Sequence, residues 1–170
     1  MASLHEILNR FDGKTTAGLV EAKQIFSKSE TFLAELVDFA ADDQDHIAIG
    51  ATWRIKASLD DGGRLPAWLI EKLIRRLDAV TSWQAQLHIC QSARHLAMPD
   101  DVAHRFATWL RALLTSDRPF LRSWSMDALQ HLASRHSRLR PVAAAALSAA
   151  AGDPAASVRA RVRRWRATPT

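Results

Sequence analysis

Leu59, Leu96 and Leu132 stand 37 and 36 residues apart, and setting them in register aligns much of the chain around them. Ala48, Ala85, Leu121 and Val158 then share a column at helix starts, Thr52, Ile89, Ser125 and Val162 a second, and Ile55, Ser92, Ala128 and Trp165 a third. Small and apolar columns at this period describe a two-helix unit repeated along the chain. Each unit leaves an apolar face open until a neighbour covers it, so the repeat commits the chain to stacked helices. A second spacing competes. Trp68 to Trp109, Trp83 to Trp124 and Trp124 to Trp165 are each 41 apart, which sets the helices about one turn differently. The shorter register is preferred because it aligns columns of like environment, where the longer aligns one residue type.

Turn signals punctuate the same repeat: Asp12-Gly13, Asp60-Asp61-Gly62-Gly63, Met98-Pro99-Asp100-Asp101, Ser116-Asp117-Arg118-Pro119, Arg140-Pro141 and Gly152-Asp153-Pro154. Between them run helix-length segments with apolar residues at three- and four-residue spacing, such as Leu69, Ile70, Leu73, Ile74 and Leu77, or Phe106, Trp109, Leu110, Leu113 and Leu114. No long segment alternates apolar and polar residues as a half-buried strand does. The expectation is an all-α chain of roughly ten helices with short connections, forming a single domain over 1–170.

Composition narrows the classes further. With 48% hydrophobic residues, the chain has enough apolar matter for a real core. Cys90 is the only cysteine, which excludes an internal disulfide and a cysteine-rich zinc cage and fits a reducing, cytoplasmic location. The longest apolar run, Val142 to Ala151, is mostly alanine and too short to span a bilayer, and the N-terminal stretch MASLHEILNRF lacks a signal-peptide core. The chain is expected to be soluble, with no membrane partner. Charge is uneven: residues 1–85 hold 10 Lys/Arg against 13 Asp/Glu, net −3, and residues 86–170 hold 13 against 5, net +8. All 13 of those cations are arginine. This positive field favours an acidic partner, either a protein or peptide or a nucleic acid.

The segment GDPAASVRARV, with Asp153, Pro154, Val158 and Arg159, looks like the start of the second helix of a HEAT repeat, and SDRPFLRSWSMDALQHLA is similar to the same element one repeat earlier. DDQDHIAIGATWRIKASL and SWQAQLHICQSARHLA match by apolar rhythm and lack the arginine after the first apolar position. The resemblance covers about residues 30–168. It implies a right-handed α-α superhelix of four to five HEAT-like pairs, with capping helices at 1–28 and repeats at 29–60, 64–97, 98–135 and 138–168. It also implies that second helices line the concave side, and that Arg122 and Arg159 bond to acidic or carbonyl groups between repeats.

In VRARVRRWR, residues 158–166, a helix places Val158, Val162 and Trp165 in one stripe to be buried against the alanine-rich segment before it. Arg159, Arg163 and Arg166 share one flank, Arg161 lies on the other and Arg164 towards the back, as on the polar coat of an amphipathic helix. The positions pointing away from the core form two columns: Trp53-Arg54, Cys90-Gln91, Met126-Asp127 and Arg163-Arg164, then Ala57-Ser58, Arg94-His95, Gln130-His131 and Ala167-Thr168. Their mixed indole, imidazole, amide and guanidinium groups suit recognition of a peptide or polar ligand. Arg54, Gln91, Arg94, His95, Asp127, Gln130, His131 and Arg163 are the candidate contact residues.

Catalytic signals are sparse. Asp127 and His131, at i and i+4, share a helix face and form the best acid/base or metal pair, although a plain ion pair is the simpler reading. Cys90 and His88 lie two apart and point to different faces, so they do not form a nucleophile and base. His104 is expected at a helix edge. There is no Gly-rich phosphate loop, HExxH or nucleophile elbow. No catalytic residue, metal or cofactor is therefore assigned. HEAT-like DNA glycosylases bind duplex DNA on a basic concave surface using tryptophans and an aspartate, and Trp124, Asp127 and Trp165 resemble that set. The leading expectation is a non-catalytic adaptor or scaffold module binding a protein segment along its second helices. The alternatives are a DNA-repair type nucleic-acid binder and an enzyme accessory subunit.

Overall fold

A computed structural model describes residues 2–26 and 31–168, with the backbone alone for 24–26. Among the described residues it contains ten α-helices and no strand. The chain divides into two compact units, Met1–Met98 and Pro99–Thr170. The expected boundary between a cap ending at 28 and a repeat starting at 29 lies outside the described residues.

Unit 1 begins with α1 (Leu4–Asn9), whose N-terminus is closed by a capping box: the Ser3 hydroxyl accepts from the Glu6 N–H, and the Glu6 carboxylate accepts from the Ser3 N–H. The Asp12 carboxylate then gathers the Lys14 and Thr15 amides and the Thr15 hydroxyl, which turns the chain into α2 (Ala17–Phe26). α3 (Phe32–Phe39), α4 (Asp45–Asp60), α5 (Ala67–Arg75) and α6 (Trp83–Ser92) follow. α4 ends in a Schellman motif, with the Gly62 N–H bonded to the Leu59 carbonyl and the Gly63 N–H to the Ser58 carbonyl. Gly62 holds the φ of +88° that this stop requires.

The long helix α4 is the axle of this unit, packed by α1, α2, α3 and α6. It buries Ile47, Ala48, Ile49, Gly50, Ala51, Thr52, Arg54, Ile55 and Leu59, which together cover most of its circumference. Gly50 faces the cap: a Cβ built there would stand 3.0 Å from Leu8, 3.3 Å from Phe11 and 3.4 Å from Leu19.

Unit 2 comprises α7 (Asp100–Leu113), α8 (Pro119–Arg135), α9 (Arg140–Ala150) and α10 (Ala156–Ala167). Pro119 opens α8 at the first turn, where no backbone donor is lost. α7, α9 and α10 all pack on α8, which buries Leu121, Ser123, Ser125, Met126, Asp127, Ala128, Leu129, Leu132 and Ala133. Val158 and Val162 of α10 are buried as their stripe predicts, at 0% and 2% exposure.

Enclosure of α4 and α8 on nearly all sides corrects part of the outward-facing columns. Arg54 is 2% exposed, Met126 0% and Asp127 7%, and Cys90 on α6 is 1% exposed, so none of the four stands on an open ridge. A helix flanked by three or four others keeps little of its middle open to solvent. Trp165, expected in the buried stripe, is only half-buried, as is Trp124.

Candidate functional site

The densest arrangement of chemically capable side chains lies between α8 and α10. On α8, Ser123, Asp127 and His131 follow at four-residue spacing and so share one face, with Trp124 beside them. On α10, Arg161 and Trp165 do the same. The two faces meet at the Asp127 carboxylate. Its Oδ1 accepts from the Arg161 guanidinium at 3.1 Å and from the Trp165 indole N–H at 2.8 Å, and its Oδ2 lies 3.4 Å from His131 Nε2.

The cluster extends outward in layers. The Arg161 Nε–H donates to the Ser123 hydroxyl at 3.0 Å, and the guanidinium carbon sits 3.6 Å from the centre of the Trp124 ring. The His131 ring meets Trp165 edge-on with centroids 4.9 Å apart. Arg161 is thus held by a carboxylate, a hydroxyl and an aromatic face, three contacts that suit its flat, delocalised charge. Burial pushes the Asp127 carboxyl up, but His131, Trp165 and Arg161 outweigh it and hold the group below the usual carboxylate range. The acid is ionised and spent on its neighbours.

A second network ties α8 to the loop before α10. Arg122 donates to both Asp153 oxygens, at 2.7 and 2.9 Å, and to the Ser116 carbonyl. Arg159 donates to the Asp153 and Pro154 carbonyls. Only the Arg122 and Asp153 pair joins distant parts of the chain; the Arg159 partners lie five and six residues before it. Arg163, Arg164 and Arg166 are exposed.

Unit 1 gathers its own charges at the end of α4. Asp60 accepts from Lys56 at 2.6 Å, from Arg94 at 2.7 Å and contacts His95 Nε2 at 2.9 Å. Burial raises its carboxyl, yet these partners win and hold it well below the usual range. Deeper in the unit, the Thr52 hydroxyl lies 3.1 Å from His88 Nδ1, and burial drives the His88 imidazole down to about 4. Arg54 donates to the Ser58 hydroxyl at 3.0 Å and has Asp61 at 4.0 Å, while its Nε is buried without a partner among the described residues.

The eight candidate contact residues thus divide. Arg94 and His95 sit together on Asp60, and Gln91 is half-buried on α6. In unit 2, Asp127 and His131 are brought together, Arg163 is exposed, and the Gln130 amide is turned inward onto the Ala143 carbonyl at 2.8 Å. Arg54 is enclosed. Sequence reasoning missed Arg161 and Asp60 as the centres of these clusters. The available signal was spacing: Arg161 lies 34 residues after Asp127, and Arg94 lies 34 after Asp60. Contacts between α4 and α6 or α8 and α10 fall at 34 to 38 residues, bracketing the shorter register.

His104 is exposed, with Nδ1 2.7 Å from the Asp100 carbonyl. Among the described residues no group of three or more His, Cys, Asp or Glu side chains is placed to hold a metal ion, and no helix is long and apolar enough to cross a membrane. No protein-family model, curated protein or solved structure matches the chain.

Proposed function

We propose that the chain is a non-catalytic, HEAT-type adaptor that binds an acidic segment of a partner protein, with second-helix residues such as Arg94, His95, His131 and Arg163 at the contact surface. The observation that carries this reading is the state of Asp127. Two hydrogen-bond donors and a nearby imidazole surround this carboxylate, so it offers no vacant base, whereas Arg163, Arg164 and Arg166 face solvent and attract anions. Residues 99–170 hold 12 Arg against 5 Asp, with no Lys or Glu, for a net charge of +7.

One observation favours a second reading, duplex DNA binding of the glycosylase type: Trp124, Asp127 and Trp165 converge on one cluster with Arg161. Against catalysis stands the same occupied carboxylate. Titrating the full chain with labelled duplex and single-stranded DNA at low and near-physiological salt separates the two. The adaptor reading expects DNA binding that salt erases, and capture of one dominant protein that Arg94→Glu or His131→Ala weakens. DNA affinity that survives salt and is lost when Arg159, Arg163 and Arg166 are reversed together would put the nucleic-acid reading first.

A further inference from the structure

Unit 2 has an open surface that the second-helix columns do not touch. α7 and α9 both pack on α8, and between them runs a groove of about 800 Å³. Its α9 wall is Pro141, Val142, Ala145 and Ala149, with Ala146 buried and Leu114 half-buried beside them. The opposite wall carries Thr108 and Arg111 of α7 and Thr115 just beyond it, all exposed. A smaller recess of about 100 Å³ shares Leu114, Ala146 and Ala149 and ends on the Arg122 and Asp153 pair.

Both the shape and the charge of this groove narrow its occupant. Alanine along one wall lets another backbone approach closely, as ridge-and-groove packing of helices requires. The stretch from Pro141 to Ala149 spans about 12 Å of helix axis, enough for the i, i+4 and i+7 anchors of one amphipathic helix. Three of the unit's five aspartates are already committed, Asp100 to His136, Asp127 to Arg161 and Asp153 to Arg122. The pairs of Arg122 and Arg161 cancel, which leaves ten arginines against three aspartates, still a net +7, and Arg111 brings that charge into the groove wall itself.

We propose that the α7–α9 groove docks an acidic amphipathic helix of a partner protein, its small and branched apolar anchors on Leu114, Val142 and Ala145 and its carboxylates towards Arg111. This rests on the adaptor reading and gives it a second face. Selecting a displayed library of random peptides, about 16 residues long to give roughly four helical turns, on the full chain at near-physiological salt tests it. Ala145→Trp, which fills the groove from an exposed position, and Arg111→Glu serve as counter-screens, with unchanged thermal melting as the check on folding. The selected peptides are expected to be rich in Asp and Glu with apolar residues at helical spacing, to bind both variants about tenfold more weakly, and to bind Arg163→Glu nearly as well as the native chain. Peptides that bind Ala145→Trp undiminished overturn the groove, and if Arg163→Glu or His131→Ala weakens them instead, the adaptor reading stands without it. Neutral or basic peptides seated in the groove overturn its proposed chemistry. A selection that enriches nothing, while duplex DNA binds through salt, overturns the groove and the adaptor reading together.

Discussion

Arg54 in α4 and Asp127 in α8 occupy the same column of the repeat, each inside the central helix of its unit, and the two units treat a buried charge in opposite ways. Asp127 meets two hydrogen-bond donors and a nearby imidazole. Arg54 has one hydroxyl, a carboxylate at 4.0 Å and a buried Nε with no partner among the described residues. Burial accordingly pulls the Arg54 guanidinium down, with Asp61 opposing, whereas the Asp127 partners overcome burial. Removing a charge from water is costly in both places, but only in unit 2 do the surrounding groups offset that cost. A shared repeat position therefore fixes where a side chain sits without fixing what it is worth.

The largest expected effect tests the favourable half of this contrast. Asp127→Ala strands the Arg161 guanidinium and the Trp165 N–H, and should destabilise unit 2 by about 3 to 5 kcal/mol, read by denaturant unfolding with hydrogen exchange resolved by unit. An effect below about 1 kcal/mol would mean that the cluster is a surface ion pair.

Next comes pH. His88 is held down to about 4 from an ordinary value of 6.5, so between these limits the unfolded chain binds more protons than the folded one. Unit 1 should keep its full stability above pH 6.5 and lose about 3 kcal/mol as pH falls to 4; His88→Gln should flatten that slope. Asp127 has a lowered value, so its contribution is present above the ordinary carboxylate value and lost only as pH falls through the folded one. Unit 2 should consequently register this acid effect at lower pH than unit 1 registers the His88 effect. Unit-resolved exchange at pH 7, 5 and 3 would show whether the order is reversed.

Smaller effects sharpen the comparison. Trp165→Phe keeps the ring and removes one donor, for a loss of about 1 kcal/mol. Arg54→Met exchanges an under-partnered cation for an apolar chain of similar length, and should leave stability within about 1 kcal/mol of native or raise it. A loss of several kcal/mol there would place Arg54 on a par with Asp127 and dissolve the contrast. Arg94→Ala, at the exposed Asp60 cluster, should cost only a few tenths of a kcal/mol.

Helix count, helix type and the turn at Asp61-Gly62-Gly63 were legible in the sequence because they depend on local periodicity and on glycine's access to positive φ. The Val158 and Val162 stripe was legible for the same reason. Enclosure was not. One amphipathic face predicts a helix with one partner, and α4 and α8 have several, so Arg54 and Asp127, expected to point outward, lie enclosed. Their polar neighbours Thr52, Ser123 and Ser125 resemble a solvated face in sequence, yet all three are buried. Trp165 was read as core because it falls in one helical stripe with Val158 and Val162. Its N–H needed an acceptor, which fixed it at the edge of the cluster, with Asp127 of α8 as that acceptor.

Gly50 carries a consequence of a different kind. Because Leu8, Phe11 and Leu19 press to within 3.0 to 3.4 Å of where its side chain would begin, the packing of α1 and α2 on α4 ties side-chain sizes on both sides together. A methyl group gained at position 50 is acceptable only after a cap residue has given ground, and a bulkier cap residue only while position 50 stays bare. Three positions far away in the chain inherit their permitted size from one missing carbon atom.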